Sequence, residues 1–374
     1  IGITGTNGKT TTAWLIHEFL NRIGKKCAYI GTIGFYINEK ICSLPNTTVD
    51  ICDMYDLMIQ AYDSGCENIV LEVSSHALSM GRIETIDFDY AIFTNLTQDH
   101  LDYHKTMENY ADAKSKLFKK LKKTGTAIIN IDDKYASYYL MDGNKNKTYG
   151  FNNADYQIVD YKLGVDSSSF EVINNNIKSN INTNLLGKYN LYNILSVISL
   201  LMEMNISMDE ITKNIPYLKA PSGRMEFINY NNNAIVIDYA HTPDAIEKVI
   251  TAVKDAIKGK IYVVFGCTGD RDRTKRSKMT ELVNSLSDYF IITNDDPHFE
   301  DPSQIVNDMI KGFTSDKYEI CLDRKEAIIK GINKLNENDI LFILGKGHEE
   351  FMIIGNEKMP FNDKKVVLEY LEEK

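Results

Sequence analysis

Along the chain, short apolar runs alternate with longer stretches whose apolar residues recur every three or four positions. "CAYIGTIGF", "ENIVLEVSS", "DYAIFTNLTQDH" and "TGTAIINIDD" are runs of the first kind, most of them ending in small polar residues. Between them, "MYDLMIQAYDSG" and "MENYADAKSKLFKKLKKTG" read as helices, each closed by glycine. This alternation predicts a mostly parallel sheet with helices on both faces. Residues 148–186 depart from it: "TYGF", "YQIVDYKLG" and "SFEVINN" are strand-like with Asn- and Ser-rich turns, which predicts a small antiparallel insertion. "YNLYNILSVISLLMEM" then reads as a strongly apolar helix.

The pattern breaks near "YLKAPSGRMEF" and restarts beyond it. "AIVIDYA", "GKIYVVFGCTGD", "DYFIITNDDP", "YEICLD" and "DILFILGKG" read as strands, with a helix after each of the first four. The whole is expected to be α/β, in two domains over residues 1–221 and 222–374, the second doubly wound and Rossmann-like. Ligands of such sheets bind in loops at the carboxyl ends of the parallel strands, and the unusual polar residues fall there.

The clearest chemistry stands at the front. Gly5-Thr6-Asn7-Gly8-Lys9-Thr10 follows a short apolar strand and opens an apolar-periodic run that includes Thr11. Glycines let backbone N–H groups turn toward a polyphosphate, Lys9 adds positive charge, and the Thr10 hydroxyl suits Mg²⁺. The usual first glycine of a P-loop is replaced by Ile3. An ordinary glycine-rich turn is the bland alternative; phosphate binding explains more of the residues. Carboxylates at neighbouring strand ends are candidate metal partners: Glu72 ends "NIVLE", and Asp99 and His100 end "AIFTNLTQDH". Of seven histidines, His17 lies in a helical run, while His76, His100, His104, His241, His298 and His348 lie in or beside strand-end loops. Together they imply a polar cleft.

Bulk properties narrow the partners. At 374 residues the chain is long enough for two cores. A net charge of −10 argues against nucleic acid. No apolar run approaches the roughly 18 residues that span a membrane. Six cysteines (Cys27, Cys42, Cys52, Cys66, Cys267, Cys321) form no C-x-x-C, which predicts a reduced, cytoplasmic protein. Small-molecule partners and a monomer are expected. Residue 1 falls inside the strand that feeds the glycine turn, so an upstream segment is expected as well.

In order, "TGTNGKTTT", "NTT" at Asn46, Thr47 and Thr48, "EVSSHAL", "FTNLTQDHLDYH", "YADAKSKLF", "GKYNLYN", "GRMEF", "IDYAHTPDA", "GCTGDRDRTKR", "NDDPHFEDP" and "GKGHEE" resemble the Mur ligase family over essentially the whole chain. Within it they resemble the type that adds the third residue of the peptidoglycan stem peptide, the MurE type. The resemblance implies an ATP- and Mg²⁺-dependent ligase of cell-wall precursor synthesis. A carboxylate of UDP-MurNAc-L-Ala-D-Glu takes the γ-phosphoryl of ATP, and the amine of a diamino acid displaces phosphate from the acyl phosphate. A free carboxylate is a poor acylating agent; phosphorylation supplies the leaving group, and the protein positions reactants and neutralises charge.

The resemblance also implies residue roles. Lys9 grips the β/γ-phosphates; Thr10 with Glu72 holds one Mg²⁺, and Glu72 with His100 a second. Lys114, carbamylated, completes the second site. A free lysine, with pKa about 10.4, would repel the metal, whereas its neutral amine adds CO₂ to become an anionic oxygen ligand. Read from composition alone, Lys114 is a solvated lysine in a Lys-rich stretch. Asn190 and Asn193, on one helix face, match adenine-side positions, and Arg224 and Asp238 the ribose and phosphate contacts from the second domain, so that ATP lies between domains. Asn46, Thr47, Thr48, Ser74 and Arg82 match the muramyl-peptide site; Arg271, Asp295, Asp296, His298, Gly345 and Glu349 match the amino-acid site.

Two departures carry weight. Family members that add meso-diaminopimelate carry D-N-P-R, whose arginine clamps the distal carboxylate, whereas this chain has Asp295-Asp296-Pro297-His298. The lost arginine and added Asp296 favour L-lysine, although a cationic histidine can also bind a carboxylate. The family's N-terminal UDP-binding domain is absent from these residues, as expected if they are the central and C-terminal domains of a longer enzyme. Rival readings are a Mur-type ligase acting on a non-UDP carboxylate or building a poly-amino acid, and a non-catalytic P-loop nucleotide-binding partner.

Overall fold

A computed structural model describes residues 1–143, 145–164, 167–254 and 257–373. The chain forms two compact units, Ile1–Pro221 and Ser222–Lys374. The first runs β1 (Gly2–Thr4), α1 (Lys9–Arg22), β2 (Cys27–Gly31), β3 (Gly34–Tyr36), β4 (Lys40–Cys42), α2 (Ile51–Asp63), β5 (Asn68–Glu72), α3 (Ser75–Ser79), β6 (Phe88–Phe93), α4 (Leu101–His104), α5 (Met107–Ser115) and β7 (Leu121–Asn130). It continues with β8 (Lys145–Gly150), β9 (Tyr156–Leu163), β10 (Ser168–Asn174), β11 (Ile177–Thr183), α6 (Lys188–Glu203) and α7 (Met208–Asn214). All these strands join one sheet in the order β11-β10-β9-β8-β7-β6-β1-β5-β2-β3-β4.

Strands β9 to β2 in that order pair in parallel, and the sheet is buried on both faces by the two-residue period of its strands. Ile92 of β6, Ile128 of β7 and Val70 of β5 pack with α1 and α6. Their neighbours Ala91, Phe93, Ala127, Ile129 and Leu71 pack on the other face with α2 and α5. Each buried aliphatic or aromatic side chain contributes about 1.5–3 kcal/mol.

Four sequence expectations change here. "CAYIGTIGF" is not one strand but the antiparallel hairpin β2–β3, turned between Gly31 and Gly34. The expected long helix over "MENYADAKSKLFKKLKKTG" stops at Ser115, and "LKKTG" is already β7. Its lysines face solvent and Lys122 pairs with Asp89 of β6 at 2.9 Å, so sheet pairing overrides helical propensity. Residues 148–186 are not a separate antiparallel insertion: β8 pairs in parallel with β7 and β9, and the antiparallel β9–β10–β11 meander extends the same sheet. The break around "GRMEF" holds a strand.

That strand, β12 (Glu226–Tyr230), opens the second unit, followed by β13 (Asn233–Asp238), α8 (Pro243–Lys254), β14 (Ile261–Phe265), α9 (Arg276–Leu286), β15 (Tyr289–Ile292), α10 (Pro302–Met309), β16 (Tyr318–Ile320), α11 (Arg324–Asn333) and β17 (Ile340–Leu344). The sheet order is β12-β13-β17-β14-β15-β16, parallel except for the β12 edge. A hairpin, β18 (Phe351–Ile354) with β19 (Glu357–Pro360), and α12 (Asp363–Glu372) complete it. Among the described residues no helix is long and apolar enough to cross a membrane.

Arg324, at the start of α11, is wholly buried and makes a bidentate pair with Asp363 of α12, both bonds 2.8 Å. It also donates to the carbonyls of Asn294 and Leu344, tying together the loops after β15 and β17. Removing one partner of a buried pair leaves the other charge uncompensated. Asp363→Ala is therefore expected to destabilise the second unit by about 3–5 kcal/mol in urea denaturation. Lys365→Ala, which breaks an exposed pair with Glu369, is expected to cost below about 1 kcal/mol.

Candidate active site

In the first sheet β1 lies between β5 and β6, at the point where the strand order reverses. The loops after these three strands therefore meet. Between β1 and α1, Gly5 and Gly8 hold positive φ, 149° and 87°. A side-chain carbon at Gly5 would stand 1.9 Å from the Thr94 hydroxyl, and one at Gly8 2.5 Å from Asn193 Oδ1. The turn is thus bare backbone at a helix N-terminus, the arrangement that receives anions. Residues after β6 brace it: Thr6 N–H donates to the Asn95 carbonyl (2.8 Å), Asn7 N–H to Asn95 Oδ1 (3.0 Å), and Thr94 Oγ1 to the Asn7 carbonyl (2.7 Å). Thr11 is buried in the first turn of α1.

Two lysines share one acceptor. Lys9 Nζ donates to the Gly5 and Thr6 carbonyls, 2.9 Å each, and Lys114 Nζ, from α5, reaches the same Gly5 oxygen at 2.8 Å. Lys114 is buried, with its nitrogen 4.5 Å from the centre of the Tyr110 ring. Burial first, and the Lys9 charge second, hold its amine well below the ordinary lysine range, against the pull of Asp99.

Glu72 ends β5 and is wholly buried. Its Oε2 accepts from Thr10 Oγ1 (2.8 Å) and Thr32 Oγ1 (3.1 Å). Its Oε1 accepts from the Thr32 N–H (3.0 Å) and the Tyr29 hydroxyl. Two hydroxyls and a carboxylate are hard oxygen donors, a set that fits Mg²⁺. His100 sits in left-handed backbone (φ 54°), its Nε2 3.4 Å from Asp99 Oδ2 and its ring centre 4.8 Å from that of His76. Burial pushes its pKa down to about 3; Asp99 opposes, while His76, Lys114 and Lys9 add to the fall. The imidazole is neutral, the form that ligates metals. The sequence analysis gathers Glu72, His100 and Lys114 about one ion. Among the described residues no hydrogen bond joins the three to one another; Thr10 bonds Glu72, Lys114 the Gly5 carbonyl, and His100 faces Asp99.

Asn190 and Asn193 share a buried face of α6, with Asn193 Nδ2 donating to Asn190 Oδ1 at 3.0 Å. Asn193 packs against Gly8, so this pair borders the glycine turn. Of the residues matched to the muramyl peptide, Asn46 is exposed and Thr47 Oγ1 lies 3.1 Å from Thr32 Oγ1. Thr48 is wholly buried, donating to the Glu72 carbonyl (2.8 Å) and accepting from Ser74 N–H (3.0 Å). Its hydroxyl fixes the turn after Glu72. Ser74 Oγ caps α3, and Arg82 bonds the Thr48 carbonyl and Asp50.

In the second unit Asp238 ends β13, buried, accepting from the N–H groups of Met225 and Ala240 at 2.7 Å each. Burial raises its pKa, opposed chiefly by Arg224, whose guanidinium lies 4.5 Å from the Tyr239 ring centre. Arg271 is exposed after β14. The loops after β15 and β17 converge on a residue the sequence analysis missed. Lys346, wholly buried, places Nζ 2.8 Å from Asp296 Oδ1, 2.7 Å from Glu349 Oε2 and 3.6 Å from Asp295 Oδ1. Gly345 (φ 115°) makes room, since a side-chain carbon there would stand 2.6 Å from Asp295 Oδ2. Asp295 is held below the usual carboxylate range, burial opposing and Lys346 and Arg324 lowering it. Glu349 is pushed up to about 7 by burial, with Lys346 pulling down and Asp295 pushing up. His298 (φ 50°) is held by backbone bonds to Ile353 (3.2 Å) and Gly355 (2.7 Å) of the β18–β19 hairpin.

A strand, a bare glycine turn and a helix beside a buried hydroxyl–carboxylate pair at a switch point define a P-loop nucleotide-binding protein. Comparison with known proteins narrows the class. Residues 3–201 match the Mur ligase middle domain, and residues 223–347 match the Mur ligase glutamate ligase domain. A UDP-N-acetylmuramoyl-L-alanyl-D-glutamate–2,6-diaminopimelate ligase of Fusobacterium nucleatum is 43% identical over 373 residues, covering 98% of this chain and 76% of the relative. A solved ligase of the same name is 34% identical with a TM-score of 0.68, covering 100% of this chain and 78% of its own. The MurF ligase of Thermotoga maritima, solved with ADP, shares the fold at 18% identity and a TM-score of 0.73, covering 100% and 79%. The chain belongs to the Mur ligase family, whose members are ATP-dependent ligases.

Thr32 has a signal in the sequence, as a polar residue just after an apolar run, whereas Tyr29 lies inside that run and Lys346 inside "GKGHEE" without one. Gly8→Ala is expected to weaken nucleotide binding about tenfold or more by calorimetry, because the new methyl meets Asn193 and the backbone is left-handed. Gly24→Ala shares the positive φ with open space around it, and is expected to cost about 1 kcal/mol of stability with nucleotide affinity unchanged.

Proposed function

We propose that this chain carries out the ATP-dependent joining of a diamino acid to the D-glutamyl end of UDP-MurNAc-L-Ala-D-Glu, with 2,6-diaminopimelate as the diamino acid. The observation that carries the reading is the 43% identity, over nearly the whole chain, to a relative named for that reaction. The geometry supports it. The glycine turn and Lys9 receive the ATP phosphates. Thr10 and Glu72 would hold a Mg²⁺, which would supply neutralisation of the phosphate charge. The substrate carboxylate attacks phosphorus, ADP leaves, and the amine then displaces phosphate at the carbonyl carbon. Asn190 and Asn193 serve the adenine, and Arg224 and Asp238 are the candidates for its ribose and phosphate contacts. Asn46, Thr47, Ser74 and Arg82 hold the muramyl peptide, while Thr48 positions the Glu72 turn.

The choice of diaminopimelate departs from the L-lysine expected on the sequence. That expectation rested on the lost arginine and on the extra negative charge of Asp296; Lys346 pairs with Asp296 at 2.8 Å, which offsets part of that charge. His298 then stands where relatives that bind the distal carboxylate carry arginine. Phosphate release would be followed with ATP, UDP-MurNAc-L-Ala-D-Glu and each of meso-diaminopimelate, L-lysine and L-ornithine. Diaminopimelate is expected to exceed L-lysine about 100-fold in kcat/KM. Turnover on L-lysine alone refutes the choice of amino acid. Release that needs neither precursor nor amino acid returns the nucleotide-binding partner as the better reading, and release with another acceptor a different ligase.

Lys114 supplies a further ligand by carbamylation: its neutral nitrogen bonds to the carbon of CO₂ and a proton leaves. Support comes from its burial and depressed pKa, since only the unprotonated amine reacts. A lowered pKa keeps that form populated at lower pH than an ordinary lysine, near 10.4, allows. With ¹³C-bicarbonate, a carbamate resonance is expected at neutral pH that fades as pH falls. Lys114→Arg is expected to abolish it and lower kcat by about 100-fold or more.

A further inference from the structure

One carboxylate bolts the loop after β14 to the loop after β15. The Glu300 side chain is 8% exposed and meets donors on both of its oxygens. Its Oε1 accepts from the Asp270 N–H at 2.6 Å and from Arg276 Nη2 at 2.9 Å. Its Oε2 faces Arg276 Nη1 and Arg273 Nη2, both at 3.0 Å. Arg276 opens α9, is buried, and also donates to Asp308 of α10 (2.8 Å) and to the Thr268 carbonyl (3.3 Å). Bonding from Arg276 holds the Glu300 carboxyl below the usual carboxylate range, against burial. The two loops are joined a second time through their backbones. Phe299 N–H donates to Asp270 Oδ2 (3.1 Å) and Gly269 N–H to the Asp296 carbonyl (2.8 Å). A side-chain carbon at Gly269 would stand 2.0 Å from the Pro297 carbonyl oxygen, so the loops approach as bare backbone there. Asp270 (φ 52°) and His298 (φ 50°) are both left-handed, and Glu300 N–H closes the turn around His298 on the Pro297 carbonyl at 3.0 Å.

Arg271 is exposed, and residues before and after it, Asp270 and Arg273, both end on Glu300. We propose that Glu300 is a positioning residue of the amino-acid site: it fixes the segment from Asp270 to Arg273 on the loop bearing His298, so that Arg271 is presented from a rigid frame at a set spacing from His298. The proposal rests on the diamino-acid ligase reading and deepens it. A guanidinium recognises a carboxylate through two parallel N–H bonds, a geometry that is lost when the backbone carrying it wanders. Without the bolt, Arg271 would have to be ordered each time an amino acid binds, and that cost falls on affinity. The oxygens of Glu300 are taken by protein donors, so it acts through Arg271 and not on the substrate.

The test is amino-acid-dependent phosphate release by the full chain, with ATP and UDP-MurNAc-L-Ala-D-Glu, in a double-mutant cycle of Glu300→Ala and Arg271→Ala. Each single substitution is expected to raise KM for the diamino acid about tenfold, with KM for ATP within about twofold. The double variant is expected to stay within about threefold of the singles, because Glu300 works through Arg271. Asp308→Ala breaks the other pair of the same buried arginine, and is expected to leave KM for the diamino acid within about twofold. If Glu300→Ala does not fold, Arg273→Ala takes its place in the cycle: it removes a donor 60% exposed, and a KM rise of about threefold is expected. Unchanged KM in the Glu300→Ala chain, or in Arg273→Ala where that replaces it, overturns the proposal. So do single effects that multiply in the double variant, and an equal KM rise in Asp308→Ala. Each of these leaves the ligase reading standing, whereas a wild-type chain with no ligase activity overturns both.

Discussion

Glu72 is a carboxylate sealed inside the protein at the end of a central parallel strand, and the nucleotide side of the molecule is arranged around satisfying it. Four donors reach it: the hydroxyls of Thr10, Thr32 and Tyr29 and the N–H of Thr32. They come from three places, the first turn of α1, the β2–β3 turn and β2 itself. An ionised group without those bonds would be severely destabilising, so the bonds fix the helix that bears the glycine turn against the strands beside it. Gly31 belongs to the same constraint, since a side-chain carbon there would come within 2.4 Å of Glu72 Oε1. The position that suits a metal is thus held by hydroxyls that double as candidate ligands.

The second unit solves the converse problem. Here the buried group is an ammonium and its partners are carboxylates on loops from two strands that are not neighbours, β15 and β17. The end of β14 lies between them. Gly266 lets the β15 loop cross it, because a side-chain carbon at that position would stand 2.4 Å from the Thr293 carbonyl. Arg324 then anchors both loops from beneath through the Asn294 and Leu344 carbonyls. Charge pairing at the site and charge pairing below it use the same loops, so electrostatics at the pocket and stability of the unit are linked.

Much of this was legible in the sequence. The strand–helix alternation announced both parallel sheets, because a two-residue period buried on both faces leaves runs such as "AIFTN" and "LFILG" with no other stable use. Motif order announced the Mur ligase family. What misled was local: "LKKTG" reads as helix by composition and is a strand by pairing, and the meander after residue 150 reads as an insertion until β8 is seen to continue the sheet. Lys346 lies within "GKGHEE", and a lysine among glycines carries no periodic signal of burial.

The sequence by itself determined which atoms are available: a glycine turn ahead of Lys9 and Thr10, acids at strand ends, and an Asp-Asp-Pro-His loop in place of one with arginine. Tertiary structure decided which of them meet. Thr10 and Glu72 are brought together by strand order, Lys9 and Lys114 by a shared carbonyl, and Asp296 meets Lys346 and the Ile353 N–H across the loops after β15 and β17. The physical reason is that the energy of a charge depends on burial and on its nearest partners, and both are fixed by contacts between residues far apart in the chain.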